Sequence, residues 1–370
     1  MREKDAVPAA KRDHTVLFTP GPTEVAPEIL REMSRPVIGH RGIEMQTLIG
    51  DLVPRLRPLF GTRAHDIFLT ACSATGLWEA ALRNCVARRV LVPVCGAFSE
   101  RFYDVAVACG IEADPLHVEW GRAVPAQAVA DMLATGRYDA VALVHNETAT
   151  GVVNPLREIA EAVRRQSDVL LLVDAVSSLG GIPVEVDRNG IDVCLASVQK
   201  CLALPPGFSV CSVSPRALER SSRRVGKGYY FDFIRLKSCF DKSTPMATPS
   251  VSHMFALQAQ LKRIEAEGLE ARYARHRAMA DLTRAWAARR LGLFAAEGAR
   301  SNTVTCVANT WGMEVSRFVE ALAARGYGIS NGYGRLKQVT LRVGHMGDHT
   351  VEGMGELLAA MDEVLKEMAA

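Results

Sequence analysis

No apolar run in this 370-residue chain approaches the ~20 residues that a membrane-spanning helix requires. The first residues, MREKDAVPAAKRDH, lack the apolar core of a secretory signal, so a cytoplasmic location is expected. No basic stripe is present. The formal net charge is only +3 with both signs interspersed, which argues against a nucleic-acid partner. None of the nine cysteines forms a pair at close metal-ligand spacing, so no metal site is expected. Most sit in apolar runs (Cys85, Cys109, Cys194, Cys211, Cys306), as reduced core cysteines do. Neither a G-x-G-x-x-G nor a P-loop occurs in a strand–turn–helix setting, and there is no repeat of fixed period or low-complexity segment.

What is present is a long alternation of strand and helix signals. At 48% hydrophobic residues and 23% charged, the chain can bury a sizeable core in two domains or one large one. Thr23 is the expected cap of a helix over Pro27–Met33, after the tight turn Pro20-Gly21-Pro22. Met45, Leu48, Ile49, Leu52 and Leu56 recur at helical spacing. DIFLT, RVLVPV, YDAVALVH, DVLLLVDA, IDVCLAS and FSVCSVS are apolar strands, with helices expected over SATGLWEAALRNCV, GAFSERFYDVAVACG, PAQAVADMLATG and PLREIAEAVRRQ. Continuously apolar strands alternating with helices imply a mostly parallel sheet covered on both faces. After about Ser214 the pattern changes. RRVGKGYYFDFIRLKS is expected to be an exposed excursion, and Thr248-Pro249 a cap and first-turn proline for a long helix. Two long helices, the strands TVTCVA and QVTLRVGHMG and two further helices then form a smaller α+β unit. The expected division is an arm over 1–17, a large domain over 18–250, and an interdomain helix with a small domain over 251–370.

Polar clusters fall at the ends of successive strands: His145, Glu147 and Thr148 after YDAVALV, Asp174 after LLLV, and Lys200 after LASVQ. Doubly wound sheets build their ligand crevice at such strand ends. A charged amine at the mouth of a buried strand is costly unless paired or chemically used. A lysine with an upstream aspartate is also the pair a pyridoxal phosphate site needs, one for the cofactor aldehyde and one for the pyridinium nitrogen. Ser73, Ala74, Thr75 and Gly76 open a helix, where free backbone amides and the dipole suit a phosphate. Ordinary N-capping is the alternative reading of the same residues.

The segments TPGPT, GHRG, SATGLWEA, HNETATGVVNP, LLLVDAVSSLGG, SVQK with its PPG turn, TPSVS and LRVGHMG occur in order between residues 19 and 347. Together they resemble the class V aminotransferases of the fold-type-I pyridoxal phosphate superfamily, most of all the alanine/serine–glyoxylate and 2-aminoethylphosphonate–pyruvate branch. The resemblance implies an α/β fold with a mostly parallel seven-stranded sheet in the large domain. It implies that Lys200 bonds the cofactor aldehyde and that Asp174 holds the ring nitrogen protonated. Phe98 matches the aromatic stacked on the cofactor ring. Ser73, Ala74 and Thr75 match the phosphate cup, where Ala74 replaces the family's usual glycine. Gln199 matches a further phosphate contact, Thr148 the partner of the phenolic oxygen, and Val176 another cofactor contact. Thr248 resembles the residue that reaches the neighbouring subunit's cofactor phosphate, which implies a homodimer with shared sites. Arg342 matches the arginine that binds the substrate α-carboxylate, for which a planar fork is suited. Gly21 is a further substrate contact. Arg41 either adds a second cation to the pocket or serves the interface.

The activity so implied is transfer of an amino group from a small amino acid, alanine or serine first, to glyoxylate or pyruvate by a ping-pong cycle. 2-Aminoethylphosphonate–pyruvate and aspartate–glyoxylate transfer are the alternatives. A cysteine desulfurase, a related activity, needs histidines where this chain has Gln199 and Phe98.

Overall fold

The computed structural model describes residues 14–369; of the arm expected over 1–17, residues 1–13 lie outside the described residues. Seven strands form the main sheet: β1 (Asp66–Thr70), β2 (Arg89–Val94), β3 (Glu112–His117), β4 (Ala140–Val144), β5 (Leu170–Asp174), β6 (Val193–Ser197) and β7 (Ser209–Val213). Their order is β1-β7-β6-β5-β4-β2-β3. β3, β2, β4, β5 and β6 pair in parallel, and only β7 runs against its two neighbours. The run β4–β5–β6 is fully buried, so its strands are continuously apolar rather than alternating, up to the polar Asp174 and Ser197 that end β5 and β6.

Both faces of the sheet are covered. On one, α1 (Ile43–Phe60) lays down Met45, Leu48, Ile49, Leu52 and Leu56, the stripe visible in the sequence. On the other lie α2 (Ala74–Cys85) and α3 (Ala97–Ala108). Residues 112–117, EADPLH, carry no apolar strand pattern, yet they form β3. This is an edge strand, half-exposed and paired on one side only, so burial imposes no pattern on it. The stretch expected as an exposed excursion is half a helix. Within it α4 (Phe233–Phe240) buries Phe233 and Leu236 against the α2 side of the sheet.

Two expected caps are corrected. Thr248 does not cap the next helix: α5 (Val251–Glu267) starts after Ser250. The helix over Pro27–Met33 starts after Ala26. Thr23 is instead buried, its hydroxyl 3.3 Å from His349 Nε2. After α5 and α6 (Leu269–Arg290), the chain builds a small antiparallel sheet. Its strands are β8 (Gly292–Leu293), β9 (Val304–Ala308), β10 (Ser330–Asn331) and β11 (Thr340–Gly344), in the order β8-β9-β11-β10. α7 (Val351–Ala369) closes its core. The segment Val16–Leu17 pairs with Tyr327–Gly328, and Gly344 N–H donates to Phe18 O at 2.7 Å. Residues 18–23 therefore run between β11 and the loop after β6, where Thr23 N–H donates to Gln199 O at 3.1 Å. Among the described residues no helix is long and apolar enough to cross a membrane.

Candidate active site

The C-terminal ends of β1, β2, β4, β5 and β6 share one edge of the sheet, because those strands run the same way. Each delivers a site residue there. β6 leads to Lys200, which is buried. Its Nζ donates to the Pro20 carbonyl and lies 5.9 Å from the centre of the Phe98 ring. Burial, and then the charge of Arg342, lower the Lys200 amine to about 8. Gly21 packs on the lysine stem so closely that a Cβ would collide with Cδ and Cε, and its φ is +102°. Only glycine suits both demands.

Asp174 ends β5 and is buried. Its Oδ2 accepts from Trp78 Nε1 at 2.8 Å and its Oδ1 from Val176 N–H at 2.7 Å. Burial pushes its carboxyl up to about 6, against the opposing pull of these two donors. A buried carboxylate so held is completed by a cation, as a protonated ring nitrogen would be. Beside it His145 bonds Ser178 Oγ at 3.0 Å, and burial drops its imidazole to about 4, so it is neutral. Thr148 Oγ1 lies 2.5 Å from Ser177 Oγ.

β2 leads through Gly96 to Phe98. The buried Glu147 anchors that turn. It accepts from Phe98 N–H at 3.3 Å, Ser99 N–H at 2.9 Å and Ser99 Oγ at 2.9 Å, where the α3 dipole favours an anion. A Cβ at position 96 would strike the Glu147 side chain. Glu147 is thus the buried anchor of Phe98, a role that its place in the His145–Thr148 cluster does not reveal.

β1 leads to Ser73, Ala74 and Thr75 at the start of α2. Ser73 is the N-cap residue, but its side chain caps none of the helix amides. Gly76 N–H turns back to Ser73 O at 3.0 Å, and the amides of Ala74 and Thr75 are left for an anion. Gln199 Oε1 is buried with no partner among the described residues. The two ends of an amide interchange by rotation, so this orphan is also a donor looking for an acceptor. An uncapped helix start, an orphaned amide and a buried carboxylate awaiting a cation fit the phosphate and ring of pyridoxal phosphate.

The small antiparallel sheet contributes Arg342 on β11. It is buried, its Nε donates to Asn331 O at 3.1 Å, and it forms no ion pair among the described residues. Burial lowers its pKa from the usual arginine value. Tyr333 stands beside it, with its ring centre 5.4 Å from Arg342 Cζ and 5.1 Å from the Phe98 ring centre. Nothing in the sequence marks Tyr333.

Two expected site residues are not brought in by this chain alone. Arg41 is exposed and makes no hydrogen bond or ion pair with the described residues. Thr248 is exposed in a groove with Leu69, Thr70, Ala71 and Tyr230, just ahead of the phosphate cup.

Residues 59–343 match the aminotransferase class-V family. The chain belongs to the class-V aminotransferases. An uncharacterized aminotransferase of Methanocaldococcus jannaschii is 40% identical over 364 residues, covering 95% of this chain and 93% of that one. The serine–glyoxylate aminotransferase of Methylorubrum extorquens is 32% identical, covering 91% of this chain and 87% of its own. The crystal structure of ureidoglycine–glyoxylate aminotransferase from Bacillus subtilis superposes with a TM-score of 0.91 at 29% identity. It covers 98% of this chain and 95% of that one. This class-V aminotransferase is accordingly a fold-type-I, pyridoxal phosphate-dependent transaminase whose substrates are amino and keto acids.

Proposed function

We propose that this aminotransferase moves the amino group of alanine or serine to glyoxylate or pyruvate. The observation that carries the reading is Arg342. A buried guanidinium with no carboxylate partner, in the same cleft as Lys200, is a receptor for one α-carboxylate. Two relatives described above, at 32% and 29% identity, use glyoxylate according to their names, which supports that acceptor.

Each residue then has a task. The amides of Ala74 and Thr75, with the side chains of Ser73, Thr75 and Gln199, would hold the cofactor phosphate. Asp174 would pair with the ring nitrogen, Phe98 and Val176 would contact the ring, and Thr148 would hold its phenolic oxygen. Pyridoxal phosphate, when bound, supplies an electron-withdrawing ring that makes the amino acid's Cα–H bond acidic. Lys200 Nζ would take that proton and deliver it to the carbon on the far side of the amino nitrogen, a task suited to an amine near 8. Arg342 fixes the donor so that this bond stands in reach of Nζ.

The exposed Thr248 and Arg41 are assigned to a homodimer, Thr248 reaching the partner's phosphate site and Arg41 the interface or the partner's pocket. Sedimentation tests this: a fully active monomer would remove both roles. The lysine role is tested by borohydride reduction of the holoenzyme and peptide mapping. The cofactor label should fall on Lys200, and a label on another lysine would overturn the site.

A further inference from the structure

We propose that Tyr333 is the wall that limits the donor's side chain, so that this site selects two- and three-carbon amino acids by size. The inference rests on the roles given above to Lys200, Phe98 and Arg342. A donor's Cα has four substituents. The nitrogen goes to the cofactor, the carboxylate to Arg342 and the hydrogen to the Lys200 side, which leaves one direction for the side chain. Tyr333 borders that space. Its ring stacks on Phe98 with centres 5.1 Å apart and planes 19° apart, and it faces Arg342 Cζ at 5.4 Å.

The ring is clamped rather than swinging. Arg101 on α3 donates to the Tyr333 hydroxyl, and its guanidinium lies 5.7 Å from the Tyr333 ring and 5.3 Å from Phe98. That bond is Arg101's one polar contact among the described side chains, and it has no carboxylate partner there. The flanking residues are seated as well. The position of a Cβ on Gly334 lies 3.7 Å from Ala97 Cβ, and Arg335 Cζ sits 3.6 Å over the Trp120 ring. Asn331, two residues before Tyr333, holds Arg342 Nε. One turn therefore sets both the α-carboxylate receptor and the wall beside it. Stacking and cation–π contacts of this kind hold an aromatic in one orientation. A wall that cannot move rejects an added methylene, whereas a mobile one would accommodate it.

The test compares wild type, Tyr333→Ala, Tyr333→Leu and Tyr333→Phe, each loaded with pyridoxal phosphate, on alanine, 2-aminobutyrate and norvaline with glyoxylate as acceptor. In parallel, equilibrium binding of the unreactive carboxylates propanoate, butanoate and pentanoate is measured on the same proteins. In Tyr333→Ala and Tyr333→Leu the norvaline-to-alanine ratio of kcat/KM should rise by about tenfold or more, the scale of one or two methylenes in an apolar pocket. Pentanoate should gain on propanoate in the same proteins, and Tyr333→Phe, which keeps the ring but loses the Arg101 bond, should fall between wild type and Tyr333→Leu. A parallel fall for all three donors, with unchanged discrimination among the carboxylates, would show that Tyr333 only supports the fold and would overturn the proposal. If the wild type used none of these donors, the proposed alanine–glyoxylate reading would fail, and the carboxylate series would still decide whether Tyr333 sets size.

Discussion

Arg342 bears on Lys200 as a second buried cation. After burial, its charge is the largest cause that holds the Lys200 amine at about 8. The relationship spans the two sheets, since Arg342 lies on β11 and Lys200 follows β6. It gives the lysine a neutral, nucleophilic fraction near neutral pH that an exposed lysine lacks.

A pH dependence follows. In cofactor-free protein, the rate of cofactor attachment should rise with pH through about 8, because the neutral amine is the reacting form and its fraction grows as pH passes the pKa. Arg342→Gln removes the like charge, so the midpoint should move to higher pH. Stopped-flow absorbance of cofactor uptake measures it. An unmoved midpoint, or one shifted to lower pH, would contradict the coupling.

Trp78→Phe removes the indole donor to Asp174 Oδ2. That bond favours the ionised carboxylate, so its loss should raise the Asp174 pKa above about 6. Cofactor affinity, which needs the ionised form, should then fall most at acid pH, by about 1.5–3 kcal/mol for one lost hydrogen bond to a charged group. Equilibrium dialysis across pH checks this. A uniform loss at every pH would point to general packing damage instead.

Arg342→Lys keeps a cation but loses the fork. kcat/KM should fall roughly tenfold to a hundredfold for alanine and serine alike, as expected when a charged hydrogen bond of about 1.5–3 kcal/mol is lost. Steady-state kinetics against one acceptor suffice. Unchanged rates would detach Arg342 from the α-carboxylate.

The residues legible in the sequence are those whose role is written in their own neighbourhood. Asp174 directly ends one apolar run and Lys200 follows another by four positions, and buried parallel strands cannot hide such runs. The stripe of α1 was equally plain, because one face of that helix is buried along its length. What stayed hidden depends on contacts between distant segments. Glu147 secures Phe98 across 49 positions of chain, and Tyr333 meets Phe98 only because the segment between β10 and β11 comes back to the start of α3. β3 was silent because an edge strand has no buried face to announce. Phe233 was obscured by the polar and glycine-rich residues before it, which mask a helix with one buried side. Thr23 and Thr248 have the side chains of caps, but the helices begin four and three residues later, where tertiary contacts place them.

The most direct measurement is isotope transfer. Holoenzyme is incubated with ¹⁵N-alanine, and separately with ¹⁵N-serine, together with glyoxylate, and the products are followed by mass spectrometry. The account predicts ¹⁵N-glycine in one-to-one yield with pyruvate from alanine or hydroxypyruvate from serine, and none from Lys200→Ala. Absence of labelled glycine from both donors, or undiminished transfer by Lys200→Ala, would contradict it.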